Sequence, residues 1–371
     1  MLLEKMYETL RHSQFPVFIW GAGSMSIEVE KRLYENGISP VGRFINTQMK
    51  QSHLVHSTDP IYSFNELKNS YSQINVVMGH GHYEKATELQ SDPFVNMVYI
   101  IPNPYTQYKG PDQQYIHDNA DKIASAKKLL IDDHSRLVLE KYLAFSSTNE
   151  IQHLLDSDIC IGGIFNLNDL NLSSTETFAD IGAWEGDTID AFLRKTNGCY
   201  EHIYAVEPDP CTFKKLSSKF EEDPNISLFQ CGLGKQEGEF YLSTVNSQST
   251  SLSEAKTSTS QKVGVTTIDQ LFEKNYFRKG GYFDNNISEK HYKYYKIDLI
   301  KIFVPFMFLD ILKGGANLIK QNRPRLIINV TADDKFSLFD TIQWIADLNV
   351  NYKLALRFDF PMPTRLFLYA Y

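Results

Sequence analysis

A short apolar run that leads into two closely spaced glycines, in residues 177–188, places the strongest constraint on the fold of this chain. Phe178 and Ile181 belong to the apolar run, Gly182 and Gly186 follow it, and a helical pattern comes next. A strand, a glycine turn and a helix in this order are typical of a nucleotide or cofactor site. Glycine allows the backbone to approach a ligand where a Cβ atom would clash. We therefore predict an α/β unit with a ligand site at this turn.

The charge of the turn favours a cationic ligand over a phosphate. Asp180, Glu185 and Asp187 are acidic and would repel phosphate oxygens. The N-terminus of the following helix adds free N–H groups and a partial positive charge. S-adenosylmethionine (SAM), which carries a positive charge, an amine and hydroxyls, fits this combination.

A second acidic residue lies at the spacing of a ribose-binding carboxylate. Residues 203–206 form an apolar run, and Glu207 ends it about twenty residues after the glycine turn. A carboxylate there is able to accept hydrogen bonds from both ribose hydroxyls. An ordinary acid at a strand end, capping the next helix, has the same local pattern. The order and distance of the two pieces favour the cofactor interpretation.

A third strand, predicted at residues 226–230, ends at Cys231 and Gly232. Backbone amides at that point could form hydrogen bonds with the edge of an adenine ring. Alternatively, the segment is a tight turn without a role in binding. The predicted SAM-binding set is Asp180, Gly182, Ala183, Trp184, Gly186, Asp187, Thr188, Glu207, Asp209, Cys231 and Gly232.

Composition limits the class of protein. The chain has 371 residues, enough for two domains, and its net charge of −8 argues against a nucleic-acid partner, which needs a basic patch. The four cysteines form no Cys-x-x-Cys pair, so we predict neither a zinc site nor a disulfide framework. This cysteine usage fits a reducing compartment. The first residues lack the apolar core of a signal peptide, and we expect a cytoplasmic protein.

No membrane span is predicted. The most apolar stretch, residues 299–312, contains Lys301, Pro305 and Asp310 and is too short to cross a bilayer.

Residues 1–105 are predicted to form a Rossmann-like domain. Strands at residues 16–20, 41–45, 74–78 and 97–101 alternate with helical patterns, which implies a parallel sheet. The glycine turn after the first strand lacks the third glycine of the dinucleotide fingerprint, because Ser26 stands there.

Two further features of this domain weaken the case for a bound ligand. Asn46 stands where the ribose-binding acid is expected. His80 and His82 flank one glycine, and such a pair is more often exposed than metal-bound. We predict no tight NAD binding, no metal site, and a role in recognition or in forming a homo-oligomer.

The remaining chain is predicted to comprise a helical connector, residues 106–173, and a second domain, residues 174–371. The connector should cover an edge of the second domain, and residues 243–262, rich in serine and threonine, should form a mobile loop. The last two strands, residues 352–358 and 365–371, have no helix between them and should pair antiparallel. We thus expect two doubly wound α/β domains, the second a parallel sheet with one reversed strand, as in class I SAM-dependent methyltransferases.

The second domain resembles the FkbM family of SAM-dependent methyltransferases. The resemblance covers most of residues 174–371, in family order, and no single piece of it is specific alone. The pieces are residues 178–188, 204–209, 267–269, 312–316, 324–326 and 352–357. It implies an O-methyltransferase that uses SAM and acts on a sugar hydroxyl, as in polysaccharide biosynthesis, or on a secondary-metabolite hydroxyl. The first domain looks like the Rossmann-like partner that precedes some members.

One departure from the family pattern concerns the acceptor side. Members carry Ile-Lys-Ile-Asp-Val-Glu-Gly-Phe-Glu, and residues 300–308 here read Ile-Lys-Ile-Phe-Val-Pro-Phe-Met-Phe. Phe303, Pro305 and Phe308 therefore replace three carboxylates, and Phe306 replaces a glycine. The family's Tyr-His pair after the next strand is also missing. Oxygen methylation gains about 10²–10⁴-fold from a positioned base, which phenylalanine cannot supply.

Three interpretations stay open. The protein is an active methyltransferase, with an impaired acceptor side or a base from Asp333, Asp334 or His291. Alternatively, it is a catalytically inactive SAM-binding relative that acts as a partner or scaffold. In the third interpretation it is bifunctional, with a nicotinamide cofactor in the first domain.

Overall fold

The chain is described by a computed structural model, whose described residues are 4–45, 61–79, 86–101, 111–148, 150–154, 160–246, 249–253, 261–273, 295–330, 337–360 and 364–371. Six residues on which sequence-based predictions depend lie outside these ranges: Asn46, His80, His82, His291, Asp333 and Asp334. Within the ranges, no helix is both long and apolar enough to cross a membrane. The same ranges contain no group of three or more His, Cys, Asp or Glu side chains arranged to hold a metal ion.

The first part of the chain folds around a five-stranded parallel sheet with strand order β3-β2-β1-β4-β5. The strands are β1 (Val17–Trp20), β2 (Gly42–Ile45), β3 (Ile61–Ser63), β4 (Ile74–Met78) and β5 (Val95–Tyr99). The helices are α1 (Glu4–Arg11), α2 (Ser24–Glu35), α3 (Phe64–Ser70) and α4 (Ala86–Gln90). This is the predicted doubly wound order.

Two strands of this sheet differ from the prediction. β3 was not predicted, and its three residues are only half-buried. The strand expected at residues 97–101 begins two residues earlier, at Val95. A short half-buried strand lacks the continuous apolar run that marks a central parallel strand.

Three helices follow: α5 (Gln113–Asp118), α6 (Ala120–Leu129) and α7 (Asp133–Thr148). The start of α7 lies against the edge of the second sheet. Leu130 forms a parallel bridge with Leu354, and the Ser135 hydroxyl accepts a hydrogen bond from the Leu356 N–H at 3.0 Å. Arg357 pairs with Asp132 at 2.8 Å. These contacts join the helical segment to an edge strand, while the predicted domain boundaries at 105 and 173 stay predictions.

The strands from residue 177 onward belong to two sheets. They are β6 (Thr177–Ile181), β7 (His202–Val206), β8 (Ile226–Phe229), β9 (Gly232–Leu233), β10 (Gly238–Asn246), β11 (Ser249–Ser253), β12 (Gln261–Thr266), β13 (Leu299–Ile302), β14 (Arg325–Asn329), β15 (Leu354–Phe358) and β16 (Leu366–Ala370). The helices between them are α8 (Asp187–Lys195), α9 (Pro210–Phe220), α10 (Ile268–Leu271), α11 (Phe308–Lys313), α12 (Ala316–Asn322) and α13 (Leu338–Asp347).

The larger sheet has seven strands in the order β15-β16-β14-β13-β6-β7-β8. β16 pairs antiparallel with both β14 and β15, and the other pairs are parallel. β15 therefore runs in the same direction as β14, and β16 is the single reversed strand. This is the predicted class I methyltransferase layout, and it brings the carboxyl ends of β6, β7, β13 and β15 to one edge of the sheet.

Two regions of this half differ from the sequence-based expectation. The loop expected at residues 243–262 contains strand instead, because β10 and β11 pair antiparallel there. The sequence predicts one helix over residues 309–321, but the structure divides this segment into α11 and α12 at Gly314. A Cβ atom on Gly314 would lie 2.1 Å from the Gly234 carbonyl oxygen, so the smaller sheet packs directly against this break.

Candidate functional site

The glycine turn between β6 and α8 is held by the neighbouring strand. The N–H groups of Gly182 and Ala183 both donate to the Val206 carbonyl, each at 3.0 Å. Trp184 and Gly186 then have φ of 48° and 84°, in the left-handed region. The chain thus reverses direction within a few residues, in contact with the carboxyl end of β7.

Both glycines of the turn are required by packing inside the protein. Gly182 has φ of 76°, and a Cβ atom there would lie 2.4 Å from the Phe303 carbonyl oxygen. A Cβ atom on Gly186 would lie 2.3 Å from the Phe220 ring. From the sequence, these glycines were assigned to a ligand. The contacts show that they let β13 and α9 approach the turn.

Glu207, at the end of β7, connects two segments of backbone through its carboxylate. Oε2 accepts from the Trp184 N–H at 3.0 Å, and Oε1 accepts from the Asp209 N–H at 2.9 Å. An ionised carboxylate has about four acceptor positions. Among the described residues, one position on each oxygen is therefore left unused, and the two backbone bonds fix the orientation of the carboxylate.

The electrostatic state of Glu207 follows from its position. The residue is 6 % exposed. Burial raises the pKa of its carboxyl group, and the N–H groups of Asp209 and Trp184 oppose that rise. A largely buried acceptor with two unused positions is suited to a pair of hydroxyl donors, because hydrogen bonds to a charged acceptor are stronger when water is excluded.

A buried ion pair lies directly beneath the turn. The Lys301 ammonium, on β13, donates to Asp180 Oδ1 at 2.8 Å and to the Gly182 carbonyl at 2.7 Å. Both residues are fully buried. Burial raises the pKa of Asp180, and the Lys301 charge opposes the rise. Asp180 Oδ2 has no hydrogen-bond partner among the described residues. Asp180, predicted to bind the cofactor, is placed in the sheet interior, where it anchors Lys301 under the turn.

The other predicted cofactor residues lie around the same edge. Asp187 and Thr188 begin α8, whose N-terminus carries no side-chain cap. Asp209 caps α9 by accepting from the Thr212 N–H at 2.8 Å. Cys231 and Gly232 follow β8, and burial raises the pKa of the Cys231 thiol to about 12. Gly232 is a member of β9 and pairs with Val265.

The segment after β13 presents its aromatic residues in different environments. Phe308 begins α11 and is 1 % exposed, within the core. Phe303 is half-buried, Pro305 is exposed, and Phe306 is exposed with φ of 66°. Of the three positions that replace family carboxylates, position 308 therefore belongs to the core in this chain, and only positions 303 and 305 reach the edge of the sheet.

Arg365 connects the β15–β16 end of this edge to Phe303. Its guanidinium lies 5.4 Å from the Phe303 ring and 5.9 Å from the Phe360 ring. Its Nε donates to Asp359 at 3.0 Å, and Asp359 is fully buried. The arginine charge is therefore neutralised within the protein, and the guanidinium lies among aromatic rings.

Lys301, Asp359 and Arg365 were not predicted from the sequence as parts of this region. Lys301 had a visible signal, since it is the one charged residue in the otherwise apolar strand β13. Asp359 and Arg365 had none, because their pairing depends on the turn between two strands near the end of the chain.

Residues 180–354 match the family model described as the methyltransferase FkbM domain, just under half of the chain. No curated protein matches the chain. A solved structure of a methyltransferase FkbM from Methylobacillus flagellatus KT is similar, with a TM-score of 0.64 and 17 % identity, over 99 % of this chain and 93 % of that one. At this identity the similarity establishes the fold.

Two further solved structures match over a smaller part of the chain. A fibrillarin/Nop5p complex has a TM-score of 0.32 and 16 % identity, over 54 % of this chain and 74 % of that one. An rRNA methylase from Streptococcus thermophilus has a TM-score of 0.28 and 12 % identity, over 54 % and 87 %. At TM-scores this low, neither similarity supports a conclusion about fold or function.

Proposed function

We propose that this chain, in which residues 180–354 form a methyltransferase FkbM domain, is a SAM-dependent methyltransferase that acts on a hydroxyl oxygen of a small molecule. The observation that carries the proposal is the carboxylate of Glu207. It stands at the end of the strand beside the glycine turn, is oriented by two backbone N–H groups, and keeps acceptor positions for two ribose hydroxyls.

Several residues around Glu207 would hold SAM. The Trp184 side chain is exposed beside the turn and offers an apolar surface for the ligand, and the uncapped start of α8 offers N–H groups. Cys231 and Gly232 border the side on which an adenine would lie. When bound, SAM supplies an electrophilic methyl carbon. The residues of this chain bind and orient it, and the Lys301–Asp180 pair keeps the turn in position through the Gly182 carbonyl.

The acceptor side sets a limit on this activity. Residues 303–308 contain no carboxylate, hydroxyl or imidazole. A sugar hydroxyl would therefore lack both a base from this segment and the polar contacts that fix a diol. We propose that methyl transfer to saccharides is weak.

The alternative is a SAM-binding protein without catalytic activity, serving as a partner or scaffold. The same apolar segment favours it. The two functions are separated by a methyl-transfer assay with radiolabelled SAM and the small-molecule fraction of a cell extract. The enzyme proposal predicts label in an organic product with the unaltered protein and a large loss with Glu207→Ala. Retention of SAM binding with no labelled product from any fraction supports the alternative.

Two further proposals concern the cellular setting. All four cysteines lie in the described residues and none of them forms a disulfide bond there, which supports a reducing compartment such as the cytoplasm. The first domain is proposed to mediate self-association. Light scattering of the full chain against the same protein with Tyr34→Glu tests this, because Tyr34 is an exposed aromatic residue on α2. A mass that is monomeric for both proteins contradicts the second proposal.

A further inference from the structure

We propose that the acceptor is a phenol, a small aromatic molecule whose ring carries the hydroxyl group that becomes methylated. This inference rests on the proposed function and names the substrate class of the same site.

Exposed aromatic rings surround the carboxyl edge of the seven-stranded sheet. Trp184, Phe306 and Phe360 are 48 %, 46 % and 45 % exposed. They follow β6, β13 and β15, three strands that run in one direction and therefore end at the same edge. Large apolar side chains gathered at one edge beside a ligand site indicate a surface for an apolar or aromatic ligand.

Packing contacts bring the segments that carry these rings close to one another. A Cβ atom on Gly182, two residues before Trp184, would lie 3.1 Å from a methyl carbon of Val304, two residues before Phe306. Phe303 and Phe360 both flank the Arg365 guanidinium, at 5.4 and 5.9 Å. Among the described residues, these contacts link the glycine turn to the segment after β13, and that segment to the β15–β16 turn.

The backbone holds two of the three rings in uncommon conformations. Trp184 and Phe306 have φ of 48° and 66°. A large non-glycine residue is strained in this region and persists there only where the surrounding structure imposes it. The strain fixes the rings at the edge and does not bury them, as expected if they contact a ligand.

The charge of this surface disfavours acceptors that need ionic recognition. Arg365 lies beside both Phe303 and Phe360, and its Nε donates to the buried Asp359. A guanidinium that is paired with a buried carboxylate and lies beside two rings suits an uncharged aromatic partner.

The acidity of the acceptor is a second and independent reason. Residues 303–308 offer no base, and an acceptor that ionises readily by itself needs none from this segment. A phenol has a pKa of about 10, whereas water, to which aliphatic alcohols are similar, has about 16. A phenol therefore reaches its reactive ionised form at neutral pH far more often than a sugar hydroxyl does.

The transfer balances without any further reactant. The phenol releases its proton to water, and the phenolate oxygen forms a bond to the methyl carbon of SAM. The carbon–sulfur bond breaks and its electron pair stays on sulfur. The products are an aryl methyl ether, S-adenosylhomocysteine and one proton.

The test measures S-adenosylhomocysteine release by the full chain with phenol, 4-nitrophenol, cyclohexanol and methyl glucoside, after SAM binding has been measured on the same sample. We expect turnover of the phenols at least about 10²-fold above cyclohexanol and methyl glucoside, since the lost base is worth at least that factor. The pH at which kcat/KM levels off should follow the acidity of the phenol.

Variants of the aromatic surface sharpen the test. Phe306→Ala and Phe360→Ala should each raise KM for phenol about 2- to 10-fold, the value of an aromatic contact, with SAM affinity unchanged. Tyr34→Ala removes an exposed aromatic ring in the first domain and should leave KM unchanged. SAM binding with transfer only to methyl glucoside, or with no transfer at all, overturns the phenol assignment and leaves SAM binding intact. Failure to bind SAM overturns the proposed function and the phenol assignment together.

Discussion

The chain contains two glycine turns of similar sequence that follow a central parallel strand, and they differ in what surrounds them. The first follows β1 and includes Gly21 and Gly23, and the second follows β6. In both, a glycine N–H donates to the end of a neighbouring strand: Gly21 to the Phe44 carbonyl at 2.9 Å, and Gly182 to the Val206 carbonyl at 3.0 Å. The backbone turn by itself therefore does not distinguish a ligand site from a structural junction.

The first turn is closed by a side chain. Ser26 is fully buried, and its hydroxyl donates to the Gly23 carbonyl at 2.7 Å. A Cβ atom on Gly79, at the end of β4, would lie 2.8 Å from the Ser26 Cβ. The close helix–strand approach that the third fingerprint glycine normally allows is thus provided by a glycine on the opposite strand.

The second turn is held by charged groups on the neighbouring strands. Glu207 accepts the Trp184 N–H, and Lys301 donates to the Gly182 carbonyl. A carboxylate with open acceptor positions is what a hydroxyl-bearing ligand requires. The difference between the turns therefore lies in the side chains around them, a buried serine at the first turn and a lysine and a carboxylate at the second.

The largest expected effect concerns the support of the second turn. Lys301→Met leaves Asp180 as a buried unpaired carboxylate and should lower the free energy of unfolding by about 3–5 kcal/mol. Urea denaturation measures it, with the exposed Lys296→Met as control. Adding Asp180→Val should recover part of the loss, because an apolar pair removes the buried charge. A loss below about 1 kcal/mol for Lys301→Met would show that the pair does not support the turn.

Two glycine substitutions compare the turns directly. Gly182→Ala introduces a Cβ atom 2.4 Å from the Phe303 carbonyl oxygen at a positive φ, whereas a Cβ atom on Gly23 meets nothing within 4 Å. We expect Gly182→Ala to destabilise the protein by about 2–4 kcal/mol and Gly23→Ala by less than about 1 kcal/mol. Thermal and urea denaturation check this. Equal effects at the two positions would remove the structural distinction between the turns.

A smaller effect is expected at the contact between the start of α7 and the edge strand β15, where Asp132 pairs with Arg357. Partial burial opposes ionisation of Asp132, but hydrogen bonds from Arg357 and Ser135 outweigh it and lower the pKa to about 2. A lowered carboxylate pKa stabilises the fold above its ordinary value of 3.8, and the gain is lost as pH falls from about 4 to 2.

Asp132→Asn should therefore destabilise the protein at neutral pH by about 1 kcal/mol, a value reduced for solvent screening. It should also flatten the acid limb of the stability profile between about pH 4 and 2. Asp133 is a neighbouring exposed residue, and Asp133→Asn is the matched control. It should change neither the stability at neutral pH nor the loss of stability between about pH 4 and 2. An unchanged acid limb in Asp132→Asn would contradict the assignment.

The smallest effect is expected when a nicotinamide cofactor is added, because we predict that the first turn does not bind it. Because Ser26 fills the space beside Gly79, titration of the full chain with NAD or NADP should give no saturable fluorescence change at micromolar protein. Saturable micromolar binding that Ser26→Trp abolishes would overturn the comparison and support a bifunctional protein.

Much of the fold follows from the order of apolar runs. β4 has the bounds that the sequence predicts, and the reversed last strand follows from two strands with no helix between them. Continuous apolar runs identify buried parallel strands because both faces of such a sheet are covered. The strands β10 and β11 were missed because serine and threonine also favour loops, and their pairing depends on a partner strand.

The candidate site was only partly readable from sequence. Glu207 was found by its spacing, and the structure places it against the turn. The assignment of Gly182 and Gly186 to a ligand stays a prediction, and their close packing against Phe303 and Phe220 could not be predicted, because a sequence does not reveal which backbone or ring packs against a glycine. Phe308 is grouped with the acceptor side by the sequence, but its burial assigns it to the core. A variant that restores the family residues should therefore combine Phe303→Asp, Pro305→Glu and Phe306→Gly and leave Phe308 unchanged, because a carboxylate at position 308 would be buried and unpaired.

Calorimetric titration of the full chain with SAM tests the central claim most directly. We predict saturable binding of one SAM per chain, weakened about 10- to 150-fold by Glu207→Ala, which corresponds to losing about 1.5–3 kcal/mol of hydrogen bonding to a charged group. Glu222→Ala, an exposed glutamate after α9, should bind SAM as the unaltered protein does. Equal SAM affinity in Glu207→Ala and the unaltered protein, or no SAM binding at all, would contradict the assignment of a SAM site at the second turn.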